Sequence, residues 1–206
     1  MTTRTAVLFL LATCVAAVPA MAQQTLYTNG PINGEVDSWT INFGFAVSDS
    51  FTLSSPSTVQ ELMFGTFSFS GDVLENAEVS ITSAEFGGTV YTDQTVSFTA
   101  SGCFVNEFGF NVCTQTGTFG TGVNLAAGTY WLQLSNAVVN DGDPVYWDEN
   151  SGPSLASQNT VGTIPSESFT LLGSSSGGGT VPEPSSILLL GSGILGLGAL
   201  VRRKLL

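Results

Sequence analysis

Between Arg4 and Arg202 this chain contains no lysine, arginine or histidine. Its only basic residues are Arg4, Arg202, Arg203 and Lys204. They bracket a long central region that carries acids alone, and each basic end adjoins an apolar segment. Met1 to Ala22 has the three parts of a secretory signal peptide: Arg4 as the positive start, an apolar run from Ala6 to Val18, and Ala20-Met21-Ala22 as a small-x-small cleavage site. The run is about 13 residues, short of the roughly 20 that span a bilayer, so cleavage before Gln23 is expected in place of a permanent anchor. Export by the Sec machinery follows.

At the other end, Ser185 to Val201 is uncharged, rich in Leu and Gly, and followed at once by Arg202-Arg203-Lys204. The basic cluster is expected to stay cytoplasmic, which puts the preceding segment across the membrane as a helix. At about 1.5 Å per residue it reaches roughly 26 Å, a minimal anchor suited to transit. A buried core helix would need a polar face, and Ile187-Leu188-Leu189-Leu190 with Ile194-Leu195-Gly196-Leu197 offers none.

Removing both ends leaves Gln23 to Thr180, a length suited to one domain with its own core. Of sixteen acidic residues only Glu183 lies outside it, so the domain's side chains carry a charge of about −15. Nucleic acid is excluded as a partner, because phosphate binding needs Lys or Arg. Anionic glycans are repelled unless a divalent cation bridges the two. Without His or Lys, a serine nucleophile has no base, and His-built zinc, copper and haem sites cannot form. Carboxylate chemistry and oxygen-ligated hard cations remain. Cys14 leaves with the signal; Cys103 and Cys113 are then an even pair in an oxidising compartment, and a structural disulfide is expected. A catalytic thiolate would lack any cation to lower its pKa.

Gly, Ser and Thr are abundant in the domain, and strand signals recur between turn residues. Ser38 to Val47 alternates, with Trp39, Ile41, Phe43, Phe45 and Val47 on one face. Ser50 to Leu53 follows, then Val59 to Ser70, where Val59, Met63, Phe67 and Phe69 share a face and Gly65 marks a bulge. Glu78 to Ser83 places Val79 and Ile81 together. Val96 to Cys103 and Val112 to Phe119 read as a disulfide-tied hairpin; Gly128 to Asn136, Pro144 to Asp148 and Ser168 to Leu172 complete the set. Short strands without crossover helices predict an all-β fold of two packed antiparallel sheets, a sandwich or jelly roll, over 23–172. Gly173 to Thr180 reads as a Gly/Ser linker.

Four groups of residues are candidate sites. Asp141, Asp143, Asp148 and Glu149 crowd around a Gly-Asp-Pro turn and offer oxygen ligands for Ca²⁺, although the spacing matches no EF-hand loop; the alternative is a solvated acidic turn. Trp131 and Trp147 are candidates for stacking on sugar rings, and Trp131 shares its strand face with polar Gln133 and Ser135; core packing is the alternative. Phe104, Val105, Phe108, Phe110 and Val112 form an apolar hairpin tip, either a partner-binding knob or a flap folded onto the sheet. Glu61, Glu75, Glu78 and Glu107 supply carboxylates for a glycosidase pair, with no geometry legible. No cofactor is required beyond such a Ca²⁺.

Ahead of the apolar tail stands Val181-Pro182-Glu183-Pro184-Ser185. The combination of Pro-Glu-Pro, apolar helix and terminal basic cluster over 181–206 resembles the PEP-CTERM sorting signal. The resemblance implies recognition by an exosortase, a membrane-embedded cysteine protease or transpeptidase, with tail removal and release or transfer to the surface of a Gram-negative, exopolysaccharide-making cell. Prolines 182 and 184 bias Val181 and Glu183 away from helix, so the motif is an extended substrate strip at the outer interface. Ser50-Phe51-Thr52-Leu53, Ala127-Gly128-Thr129-Tyr130-Trp131-Leu132, Val145-Tyr146-Trp147-Asp148 and Ser168-Phe169-Thr170-Leu171 also resemble ectodomains that accompany such tails, which implies a β-sandwich. The expectation is an exported, non-enzymatic surface or extracellular-matrix protein. It passes through an inner-membrane-anchored stage, is processed by an exosortase and associates with exopolysaccharide or biofilm. The alternative is a carbohydrate-binding module, calcium-assisted, and a glycoside-active enzyme stands third.

Overall fold

The computed structural model describes residues 23–35 and 37–176. The signal segment, the Pro-Glu-Pro motif, the apolar tail and the basic cluster lie outside them. Fourteen strands follow in order: β1 (Gln24–Thr28), β2 (Ser38–Thr40), β3 (Ala46–Leu53), β4 (Ser57–Ser68), β5 (Leu74–Ala84), β6 (Gly87–Ser97), β7 (Thr99–Val105), β8 (Asn111–Leu125), β9 (Gly128–Val139), β10 (Tyr146–Asn150), β11 (Ala156–Gln158), β12 (Gly162–Ile164), β13 (Ser166–Glu167) and β14 (Phe169–Ser175). Every pairing is antiparallel, and the strands form two sheets, as expected of a sandwich. Eight strands, with β4 at the centre between β8 and the pair β14 and β10, make the first; β12-β11-β3-β9-β5-β6 make the second.

The core sits between the sheets, and period-two alternation decides which residues enter it. Along β9, Tyr130, Leu132 and Leu134 are buried, and they face the same way as Val47 and Phe51 on β3 and Val79 and Ile81 on β5. The first sheet answers with Leu62, Phe64, Trp147, Phe169 and Leu171, all within 2% of full burial. Aromatic rings interlock at the centre: Trp147 meets Phe64 and Phe169 edge-on at 5.9 and 5.8 Å, and Phe51 meets Phe169 at 6.4 Å. Each such ring contributes about 1.5–3 kcal/mol by burial.

Four local readings of the sequence are corrected. Ser38 to Val47 is not one strand: a turn closed by Phe45 N–H on Asn42 O breaks it, with Phe43 and Gly44 at φ 56° and 84°. β2 then joins the first sheet and β3 the second, and Phe43 is exposed. Backbone bonds of Ile41 to Val145 and Ala137 hold this crossing. On β4 a register shift between Val59 and Glu61 puts Leu62 and Phe64 inward and Met63 outward. Gly65 marks close approach and no bulge: a Cβ there would meet Ser168 Oγ at 2.6 Å, Asp148 Cβ at 2.8 Å and Ile32 Cγ1 at 2.9 Å. At the C-terminal side, β14 carries the chain to Ser175, so 173–175 are strand and the linker is shorter than composition suggested.

Candidate functional site

Two acidic groups stand out, one inside the sandwich and one at its end. Inside, Asp49 occupies an inward position of β3, between Val47 and Phe51 and opposite Leu132. Glu149 on β10 and Glu167 on β13 are register partners, so their side chains share a face. Asp49 and Glu167 are 0% exposed and Glu149 6%. Asp49 Oδ2 accepts the Glu167 backbone N–H at 2.8 Å and Asn29 Nδ2 at 2.9 Å, and Glu149 Oε2 accepts Trp39 Nε1–H at 2.8 Å. Asn29 Nδ2 also lies 2.6–2.7 Å from Ser154 Oγ, Ser166 Oγ and Glu167 O, so its two hydrogens serve four acceptors. Both carboxyl oxygens of Glu167 and Asp49 Oδ1 are buried without a hydrogen-bond partner.

The electrostatics follow from burial without bases. Burial pushes the Asp49 carboxyl up to about 6, partly offset by hydrogen bonds that favour its charged form. Burial raises Glu167 well above the usual carboxylate range, and the neighbouring Asp49, Glu149 and Asp148 add to it. Asp148 is also raised by burial, against the backbone N–H groups of Asn33 and Gly34, which reach its two oxygens at 3.1 Å. Burial thus favours the protonated form of Asp49 and Glu167. Asp148 and Glu149 are buried in β10 and are parts of the packed sandwich, separate from the turn that holds Asp141 and Asp143.

That turn joins β9 to β10, and the structure brings a different acid to it. Asp72, from the β4–β5 turn, offers a carboxylate oxygen that lies within 4.8 Å of one each from Asp141 and Asp143. Asp141 and Asp143 are exposed, whereas Asp72 is 8% exposed. Of the four acids grouped by sequence, two stay at the turn and Asp72 joins them.

The aromatic candidates also separate. Trp147 is completely buried, with Nε1–H donating to Ser168 O at 2.9 Å, so no sugar ring can reach it. Trp131 is partly exposed on the outer face of the six-stranded sheet, directly between Ser50 of β3 and Thr82 of β5, with Gln133 and Ser48 beyond. Of these neighbours Ser50 and Gln133 are half-buried, whereas Thr82 and Ser48 are buried. At the hairpin of β7 and β8, Cys103 and Cys113 form a disulfide with Cα atoms 4.2 Å apart. The tip is divided: Phe110 packs on Phe67, Phe69 and Tyr146, while Phe104, Val105 and Phe108 are 46–69% exposed. Asn106 shapes it, Oδ1 accepting the N–H groups of Phe108 and Phe110. Glu61 lies on β4, Glu75 and Glu78 on β5, and Glu107 at the hairpin tip, so these acids are spread over three elements.

Residues 180–204 match the PEP-CTERM protein-sorting motif. The chain carries an exosortase-substrate sorting signal. The PEP-CTERM match covers Pro182, Glu183, Pro184 and the Arg202, Arg203, Lys204 cluster, and it makes the exosortase the processing partner of an exported, cell-surface or extracellular protein. No curated protein matches the chain. The PEP-CTERM tail thus addresses the protein, and the sandwich of 23–176 lies outside the match.

The sequence reading passed over Asp49, Asp72 and Glu167. For two of them a signal existed. Val47, Asp49, Phe51 and Leu53 alternate, which places an acid on the apolar face of its own strand, and Glu167 falls in step with Phe169 and Leu171 in the same way. For Asp72 there was none, because its partners come from a turn about 70 residues away.

Proposed function

We propose that the protein is a non-enzymatic component of the cell surface or extracellular matrix, associated with exopolysaccharide. The observation that carries this reading is the sorting motif at 180–204. Support comes from the domain it delivers: a β-sandwich without a single Lys, Arg or His to serve as catalytic base or cation. Its work is structural or adhesive. The test compares the native host with an exosortase-deficient strain. Shortened protein in the matrix fraction of the first, and full-length protein held in the inner membrane of the second, are expected. Identical fractionation in both strains would sink the reading, and release of reducing sugars from the host's polysaccharide would replace it with an enzyme.

A second reading, carbohydrate binding, is favoured by Trp131 on the polar outer sheet face between Ser50 and Thr82. A partly exposed aromatic ring beside half-buried Ser50 and Gln133 is suited to stacking on a neutral sugar. Retention on immobilised neutral glucan, lost in Trp131→Ala, supports it; equal retention by both proteins removes it.

A further inference from the structure

The β4–β5 and β9–β10 turns both carry the chain from one sheet to the other, and they meet at one end of the sandwich. Asn140 ties them together. Its Oδ1 accepts Val73 N–H at 2.8 Å, its backbone N–H donates to Val73 O at 3.2 Å, and its Nδ2 donates to Gly71 O at 3.5 Å. Asp72 is fixed within this frame by Phe69 N–H, which donates to Oδ2 at 2.8 Å. Its other oxygen, Oδ1, is buried from solvent and no donor reaches it. What faces the Asp72 carboxylate is two further carboxylates, Asp141 and Asp143.

A buried acceptor without a donor, beside two like charges in a domain without bases, is suited to a positive partner from outside the chain. We propose that Asp72, Asp141 and Asp143 form a divalent-cation site of the Ca²⁺ class that staples the two sheet-crossing turns together. Oxygens sharing a Ca²⁺ ion at about 2.3–2.6 Å lie within roughly 5 Å of one another, the separation that these carboxylates already have. The set is all oxygen, which disfavours zinc and copper. Exposed Asp141 and Asp143 leave open positions for water, and a site so open belongs with extracellular modules that bind at about 10⁻⁴–10⁻³ M. The site differs from the Asp141, Asp143, Asp148, Glu149 grouping, because the last two are committed to the interior. It is independent of what the protein's ligand or matrix partner is.

The test uses the full chain in mild detergent, stripped with EDTA and titrated with CaCl₂ at constant ionic strength. Calorimetry reads binding and thermal unfolding reads stabilisation. One saturable site per chain is expected, with Tm rising by about 3–6 °C at tenfold excess over Kd. Asp141→Asn and Asp143→Asn each weaken binding at least about tenfold, while Asp93→Asn, an exposed acid on β6, leaves it unchanged. Far-UV circular dichroism verifies that the variants fold, as exposed substitutions should. Absence of saturable binding up to 10 mM overturns the proposal. So does binding that Asp141→Asn and Asp143→Asn leave intact, which would place the cation elsewhere on this acidic surface.

Discussion

Glu149 and Glu167 face each other on adjacent strands as register partners, two acids side by side in the interior of a domain without a base. Asp49 approaches them from the opposite sheet, tied to the Glu167 backbone. For Asp49 and Glu167, the folded state favours the protonated form more than the unfolded chain does. Stability from these groups is therefore complete below the ordinary carboxylate range and is lost as pH rises through the folded values. For Asp49, raised from 3.8 to about 6, the loss is about 3 kcal/mol between pH 4 and 8. Tm should fall across that window, and Glu167→Gln should raise Tm at pH 8 while leaving it unchanged near pH 4. Because general acidic repulsion also changes with pH, the difference between variant and parent is the quantity to measure. Parallel profiles would show that Glu167 is not protonated in the fold.

The Cys103–Cys113 bridge closes a short hairpin loop. In the chain-entropy view its removal costs about 2–3 kcal/mol, or about 5–10 °C in Tm for a domain of this size. The pair Cys103→Ser/Cys113→Ser should unfold at lower denaturant, with an m value equal to or slightly above the parent's because the unfolded chain is freed. A drop below about 0.5 kcal/mol would mean that the hairpin is held by Phe110 on Phe67 and Tyr146 instead.

Trp147 and Trp131 should respond oppositely to truncation. Trp147→Ala empties the centre of the core and removes one of two donors on Ser168 O, leaving Gly65 N–H, for a loss of about 3–5 kcal/mol by urea unfolding. Trp131→Ala, on the outer face, should change stability by no more than about 1 kcal/mol. A large loss at Trp131 would show that its ring is packed into the fold and unavailable to a ligand.

Gly65→Ala tests the close approach behind β4. The added methyl must displace Ser168, Asp148 and Ile32, for a loss of about 1–3 kcal/mol without change in secondary structure. An unaffected Tm would mean that Ile32, in the segment between β1 and β2, gives way to the methyl at little cost.

Much of this architecture was legible in the order of the residues. Alternation in Tyr130 to Ser135 and in Glu78 to Ser83 placed the inward faces correctly, because side chains on a strand must alternate whatever the neighbours are. It failed at Phe43, where the left-handed turn at Phe43-Gly44 interrupts a run that alternates perfectly in letters. It failed again along β4, where one register shift inverted the face.

By itself, the sequence determined the protein's destination and its permitted chemistry. The sorting signal is a linear motif, and a region without Lys, Arg or His leaves carboxylates as its only Asp/Glu/His/Lys-type bases and offers no side-chain cation in any fold. The tertiary structure alone decided which acids meet. Asp148 and Glu149 follow Asp143 closely in the chain yet turn into the sandwich, while Asp72 crosses to Asp141 and Asp143 through the pairing of distant turns. Contacts between turns depend on the register of every strand between them, and so on the cooperative packing of both sheets.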